Sequence, residues 1–238
     1  MMHLAVCVYA CATVPRLRDQ LETCRDTWGR DLPTYFFCGE ERTDVSGNLV
    51  YLPGVSNDYA SASHKQWGGL AWMHAHVDPD FVLCVGTDMF VNAGNLRRAL
   101  AAAGADPAVP QYLGGHGEHR ALDKPYYFHC GGPGFVLSRA ALARMAAADV
   151  FSTVHARYRD LCLRHGAQHL IPACDVAMGV VADRLQLQTL VLPNMWRCTH
   201  LGYPCHPGRP VEADIVCCHQ ITSSEIRYLH DRMRRRDT

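Results

Sequence analysis

The sequence carries no net charge, no long apolar run and no repeated, low-complexity or linker segment. Its 23 basic residues are balanced by 23 acidic ones, so no overall field attracts the chain to nucleic acid or to an anionic membrane. No stretch approaches the roughly 18 to 20 apolar residues that span a bilayer. We therefore expect a single domain over residues 1–238, with no nucleic-acid partner and no membrane span in this chain.

The opening stretch, MMHLAVCVYAC, lacks the basic flank and long apolar region of a signal peptide, and it is typical of a first core strand. Cysteine, in contrast, is plentiful, with twelve residues. Without a secretion signal, reduced thiols are the default state. We expect a cytoplasmic protein if the chain is complete, and a luminal Golgi domain if it is excised from a longer protein.

Apolar runs alternate with helical spacing through the first half of the chain. Strands are predicted at 3–10, 33–38, 48–53 and 81–85, with helices between several of them. Alternating strands and helices predict a mainly parallel α/β sheet with helices on both faces. In the second half, residues 104–125 are predicted as loop around one short strand, QYLGG, and the helix caps are Ser138 and Thr222.

The run FVLCVGTDMFVN, residues 81–92, is apolar except around Asp88. A parallel strand buried on both faces is a continuous apolar run, and ligands bind at the carboxyl ends of such strands. Asp88 is therefore expected in a metal or phosphate site. The alternative is a turn in which the carboxylate accepts backbone hydrogen bonds.

Five segments in a fixed order resemble the Fringe-like β1,3-glycosyltransferases of glycosyltransferase family 31. They are CRDTWG (24–29), VGTDMFVN (85–92), CGGPGFVLSRAAL (130–142), CDVAMG (174–179) and CHQ (218–220). The resemblance implies a GT-A fold and a metal-dependent, inverting hexosyltransferase that uses a nucleotide sugar, normally a UDP-sugar, and a glycan or glycoprotein acceptor. It also implies that residues 1–103 bind the nucleotide sugar, while 104–238 bind the acceptor and carry catalysis.

The resemblance implies a metal site at Asp88 and His219, which match the family's last motif aspartate and its late histidine. The family's pattern Asp-Asp-Asp-x-Tyr-Val begins here with Gly86 and Thr87, so one residue that meets the ribose or helps hold the metal is missing. A carboxylate and an imidazole leave coordination sites for phosphate oxygens and water, and suit Mn²⁺, or Mg²⁺, better than Ca²⁺.

The same resemblance implies that Asp175 is the catalytic base, although an aspartate before an apolar helix is also typical of an N-cap. Gly131 and Gly132 are expected beneath the donor sugar, where glycine permits close backbone approach; a tight turn is the alternative. The remaining expected donor contacts, which have surface or capping roles as their alternatives, are Thr13, Arg16, Lys65 and Thr87.

Two other functions compete with this assignment. One is a structural zinc protein, whose ligands would come from Cys198, His200, Cys205, His206, Cys217, Cys218 and His219. The spacing lacks a paired Cys-x-x-Cys framework. The other is a catalytically inactive carbohydrate-binding relative, which the reduced aspartate cluster suggests. Trp196 and Tyr203 are the candidates for stacking on an acceptor sugar.

Overall fold

The structure is a computed structural model that describes residues 2–39, 45–58, 61–196 and 214–235. Its strands are β1 (Leu4–Tyr9), β2 (Thr34–Gly39), β3 (Val45–Ser46), β4 (Leu49–Leu52), β5 (Phe81–Val85), β6 (Met89–Val91), β7 (Gln111–Gly114), β8 (Gly117–Ala121), β9 (Pro125–His129), β10 (Phe135–Ser138), β11 (Gln188–Val191), β12 (Met195–Trp196) and β13 (Cys217–His219). Its helices are α1 (Pro15–Asp26), α2 (Ala62–His76), α3 (Ala93–Ala102), α4 (Arg139–Ala147), α5 (Val150–Arg164), α6 (Cys174–Arg184) and α7 (Ser223–Arg234).

The central sheet has the strand order β11-β7-β10-β5-β1-β2-β4-β3. Neighbours β5-β1, β1-β2, β2-β4 and β11-β7 are parallel. The antiparallel neighbours are β10-β5, β10-β7 and β3-β4. The predicted mainly parallel α/β sheet is confirmed, and this arrangement is consistent with a GT-A-like fold.

Helices cover both faces of the sheet, as the alternation of strands and helices predicts. On one face, side chains of α1, α3 and α7 share a core with Val6 and Val8 of β1. On the other face, α2, α4, α5 and α6 pack with Ala5 and Cys7 of the same strand. Successive strand residues point to opposite faces, so β1 is buried on both sides, as its continuous apolar run predicts. No helix of the described ranges is both long and apolar enough to cross a membrane.

The second half contains more strand than the sequence predicts. Residues 117–121, predicted as loop, form β8 in a hairpin with β9. After the glycine turn the chain forms β10 before α4 begins. The caps are confirmed: Ser138 accepts a hydrogen bond from the Ala141 amide, and Thr222 forms a capping box with Glu225.

Candidate active site

Asp88 lies in the short connection between β5 and β6, at the carboxyl end of a central parallel strand. Helix α1 and the turn that follows it hold this connection in place. The Trp28 indole donates a hydrogen bond to the Met89 carbonyl at 2.8 Å, and the Cys24 thiol donates to the Thr87 carbonyl at 3.1 Å. The backbone on either side of Asp88 is therefore fixed from within the core.

His219 reaches Asp88 through a strand pairing that spans 130 positions of the sequence. In the small sheet β12-β13-β6, the antiparallel register places His219 of β13 opposite Met89 of β6. His219 Nε2 then lies 3.3 Å from Asp88 Oδ2. Both side chains remain partly exposed, at 19% for His219 and 36% for Asp88, so a ligand has access to the pair.

The Asp88–His219 pair has the spacing of two ligands on one cation. Adjacent ligands of an octahedral ion with bonds of about 2.1 Å lie about 3 Å apart, close to the observed 3.3 Å. No third histidine, cysteine or acidic side chain joins them to form a metal cluster in the described part of the chain. The residues therefore fit a cation that receives its other ligands from a bound anion and water.

Asp175 is held at the start of α6 and faces the glycine turn. Its Oδ2 accepts a hydrogen bond from the Gly131 amide at 2.9 Å, and its Oδ1 accepts one from the Val176 amide at 2.9 Å. The N-cap of α6 is Ala173, so the N-cap interpretation of Asp175 is wrong. Each carboxylate oxygen keeps a further lone pair for a ligand.

Gly131 and Gly132 leave the space that the side chains of Asp175 and His219 occupy. A Cβ at position 131 would lie 2.8 Å from the Asp175 Cβ, and one at 132 would lie 2.5 Å from His219 Nδ1. Both distances are shorter than real Cβ contacts allow. The turn is therefore glycine-rich because it packs directly against Asp175 and His219, a cause that the sequence alone does not show.

Three clefts meet around Asp88 and His219. The β1–α2 cleft, about 230 Å³, includes Lys65, Thr87 and Asp88. The α1–α7 cleft, about 630 Å³, shares Arg16 and Asp88 with it. The α6 cleft, about 590 Å³, contains Gly131, Gly132, Asp175 and His219. Of the predicted donor residues, Arg16, Lys65 and Thr87 line the first two clefts, whereas Gly131 and Gly132 share the α6 cleft with the predicted base Asp175. Gln220 lines both larger clefts.

Gln20 is a site residue that sequence analysis missed. It lines both the β1–α2 and α1–α7 clefts, is only 5% exposed, and its Oε1 has no hydrogen-bond partner in the described residues. A buried polar atom without a partner is costly in the free protein. Helical spacing from Arg16, four residues earlier, was the available signal, since i and i+4 share a face.

Lys65 is buried, which differs from the expected alternative of a surface residue. It is 3% exposed, and its Nζ donates to the Ala10 carbonyl at 3.0 Å and to Asn57 Oδ1 at 3.3 Å. Burial lowers the pKa of its ammonium group. Lys65 therefore ties the end of β1 to the 57–58 segment, and its amine lies at the wall of the β1–α2 cleft.

Thr13 and Thr87 have different positions relative to the clefts. Thr87 is buried and lines the β1–α2 cleft beside Asp88. Thr13 is exposed, and its hydroxyl oxygen lies 3.5 Å from the Cys11 sulfur. It does not belong to the described lining of the three clefts. The structure thus brings Thr87 to the site, and leaves Thr13 at its margin.

Tyr9 occupies the space next to Gly86. A Cβ at position 86 would lie 3.2 Å from the Tyr9 ring and 3.1 Å from Asp88 Oδ1. Burial raises the pKa of the Tyr9 hydroxyl well above its ordinary value, and neighbouring thiols and the carboxylates of Asp88 and Asp175 add to this. Tyr9 also lines the β1–α2 cleft, together with Asp88.

Glu118 and Arg120 line the α6 cleft together with Asp175. They form an ion pair at 3.0 Å on β8, the strand that was predicted as loop. Glu118 is a second carboxylate in the same cleft and so a second candidate base. Neither residue follows an apolar run, so no sequence signal marked them.

The cysteines of the proposed zinc alternative are only partly described. Cys217 and Cys218 are buried in the core, and burial raises the pKa of the Cys217 thiol far above its ordinary value. Cys198, His200, Cys205 and His206, together with Tyr203 and the side chain of Trp196, lie outside the described residues.

Comparison with known proteins finds similarity among solved structures. No protein-family model matches the sequence, and no curated protein matches it. Among solved structures, the chain is similar to a glycosyltransferase involved in the glycosylation of the major capsid of PBCV-1, with 15% identity, 97% of this chain and 98% of that chain covered, and a TM-score of 0.49.

Proposed function

We propose that the chain is an inverting, metal-dependent glycosyltransferase that moves a hexose from a UDP-sugar to a hydroxyl group of a glycan or glycoprotein. The observation that carries this proposal is the 3.3 Å approach of Asp88 Oδ2 and His219 Nε2, with Asp175 in the cleft that His219 also lines. This transfer needs two side chains spaced to hold one cation and a positioned carboxylate in an adjoining cleft, and Asp88, His219 and Asp175 would supply these groups.

The donor binds in the β1–α2 and α1–α7 clefts, built mainly from residues 1–103. Arg16 is exposed where these clefts meet Asp88, and Lys65 lies at the inner wall. Their positive charges favour a diphosphate. Thr87 and Gln20 supply polar groups to the same space. Arg16 is the stronger diphosphate candidate, because Lys65 already donates to two protein oxygens.

Asp88 and His219 would hold the divalent cation, Mn²⁺ or Mg²⁺. When bound, the cation neutralises the charge that develops on the departing diphosphate. Three properties of the pair suit it to this role: its spacing, its partial exposure, and its combination of a carboxylate with an imidazole.

Asp175 acts as the base on the acceptor side. As the acceptor oxygen attacks the anomeric carbon from the face opposite the diphosphate, Asp175 takes its proton, and the electron pair of the broken bond leaves with the diphosphate. The amides of Gly131 and Val176 orient the carboxylate, so it needs little reorganisation when the acceptor arrives.

The test is release of UDP from a panel of UDP-sugars with Mn²⁺ and glycan acceptors. Asp175→Asn is expected to lower kcat by about 10² to 10⁴, while Glu118→Gln has a small effect. Asp183→Asn is the matched control, because Asp183 lies on the same helix, exposed and paired with Lys124 at 2.6 Å. No turnover with any donor, or full activity in Asp175→Asn, would contradict the proposal. A loss confined to Glu118→Gln would move the base to that residue.

A further inference from the structure

The β8–β9 hairpin presents one of its faces to the α6 cleft. Alternate residues of a strand share a face, and so do residues directly opposite each other on paired strands. Glu118 and Arg120 of β8 therefore share a face with Phe128, which lies opposite Glu118, and all three line the cleft. His119, between them, is on the other face, where its ring centroid lies 5.4 Å from that of Tyr127. The hairpin thus directs a carboxylate and a guanidinium into the α6 cleft.

The contacts of Glu118 and Arg120 restrain the two side chains and leave them accessible. Arg120 Nη2 lies 3.0 Å from Glu118 Oε2. The guanidinium carbon lies 5.6 Å from the centre of the Phe128 ring, which is a cation–π arrangement. The exposed fraction is 44% for the Arg120 side chain and 35% for that of Glu118. A ligand in the cleft therefore meets both charged groups in a defined relative position.

Glu118 also contacts the turn that holds the proposed base. The Cys130 thiol donates to Glu118 Oε1 at 3.9 Å. The next residue, Gly131, donates its amide hydrogen to Asp175 Oδ2 at 2.9 Å. The α6 cleft that these residues line has a volume of about 590 Å³, which is the size of a small-molecule site. A sugar that fills this cleft therefore contacts the pair as well as the base.

The chemistry of the pair favours a neutral ligand that is rich in hydroxyl groups. A carboxylate only accepts hydrogen bonds, a guanidinium only donates them, and a hydroxyl does both. Neighbouring hydroxyls of one sugar can therefore donate to Glu118 and accept from Arg120. The described lining has two carboxylates, those of Glu118 and Asp175, against one guanidinium. In the proposed reaction, Asp88 and the diphosphate neutralise the cation at His219, so an anionic sugar in the cleft would meet charge of its own sign.

We propose that Glu118 and Arg120 select a neutral acceptor sugar by binding two of its adjacent hydroxyl groups, while a further hydroxyl of that sugar reaches Asp175. The identification of the sugar as the acceptor rests on the proposed function, whereas the preference for a neutral, hydroxyl-rich ligand rests on the pair itself. The pair sets the affinity for the acceptor, and Asp175 sets the rate of the chemical step. Removing the charge of Glu118 leaves Arg120 available to an anionic sugar.

The experiment titrates the protein with p-nitrophenyl glycosides, followed by NMR in the presence of UDP and Mn²⁺. The neutral probes are the β-glucoside, the β-galactoside and the α-mannoside, and the anionic probe is the β-glucuronide. The best neutral probe is expected to bind at least about tenfold more tightly than the glucuronide. Glu118→Gln and Arg120→Gln should each weaken that probe about tenfold, and only Glu118→Gln should strengthen glucuronide binding, by about tenfold. The control is His119→Gln, on the other face of β8, and it should change neither affinity.

Steady-state kinetics give a second measurement, in which both variants should raise the acceptor KM about tenfold and change kcat and the donor KM by less than about twofold. Both should unfold in urea like the unsubstituted protein, because exposed ion pairs contribute little to stability. Three results would overturn the proposal: no binding of a neutral probe, neutral and glucuronide affinities that Glu118→Gln leaves unchanged, or a rise confined to the donor KM. The expected binding pattern without turnover would support the pair and contradict the reaction, whereas turnover with an unchanged acceptor KM in both variants would contradict the pair alone.

Discussion

Gly132→Ala tests whether the position of His219 determines activity. A Cβ at position 132 would lie 2.5 Å from His219 Nδ1, whereas ordinary contacts begin at 3.4 Å. The imidazole must therefore move by about 0.9 Å, the difference between these two distances. A misplacement of about 1 Å in a catalytic site costs roughly 10²-fold in rate. We expect kcat/KM to fall about 10²-fold, with Mn²⁺ binding weakened as well, because His219 Nε2 moves relative to Asp88.

The control is Gly94→Ala in α3, where the nearest atom to the added Cβ is 3.5 Å away. This change is expected to leave activity unaltered and to raise helix stability by up to about 1 kcal/mol. Urea unfolding of both variants separates misplacement from misfolding, since Gly132→Ala is expected to cost no more than about 1–3 kcal/mol. Full activity and unchanged Mn²⁺ affinity in folded Gly132→Ala would refute the reasoning.

Three further outcomes are expected. Gln20→Leu removes an unpaired buried oxygen, so the free energy of unfolding in urea should stay the same or rise by up to about 1–3 kcal/mol. The same change should raise the donor KM about tenfold, and an unchanged KM would exclude Gln20 from donor binding. His155, with its pKa lowered to about 4, binds fewer protons when folded than when unfolded between pH 6.5 and 4. The free energy of unfolding should therefore decrease as the pH is lowered from 6.5 to 4, and less steeply in His155→Phe; equal slopes would contradict this. Gly86→Asp crowds Tyr9 and adds a charge beside Asp88, so it should lower activity several-fold. Part of this loss should be recovered in a Tyr9→Ala background, and purely additive effects of the two changes would show that Tyr9 does not occupy this space.

The apolar run predicts Asp88 just after a buried strand, and the structure places it in the connection after β5, whereas His219 is the last residue of β13. Continuous apolar runs are typical of strands buried on both faces, and the first polar side chain after such a strand lies at the sheet edge. The apolar pattern does not predict the distance between the two residues. It depends on the antiparallel register of β13 with β6, which tertiary packing sets.

Other parts of the site left no sequence signal. Strand β8 is largely exposed and polar, so it shows neither an apolar run nor a clear alternation. The sequence therefore gave no indication that Glu118 lines a cleft. The glycines at 131 and 132 were expected to admit a ligand, whereas each also makes room for a side chain that arrives from a distant element. The alternative role of Asp175 as an N-cap is wrong, because α6 already begins at Cys174 and its N-cap is Ala173.

The most direct test of the central claim is Mn²⁺ binding measured by electron paramagnetic resonance, with and without UDP. The account predicts one bound Mn²⁺ whose affinity rises with UDP, and a loss of at least about tenfold in both Asp88→Asn and His219→Gln. Mn²⁺ binding that neither variant changes, or tight stoichiometric zinc with thiolate ligands in its place, would contradict a cation site formed by these two residues.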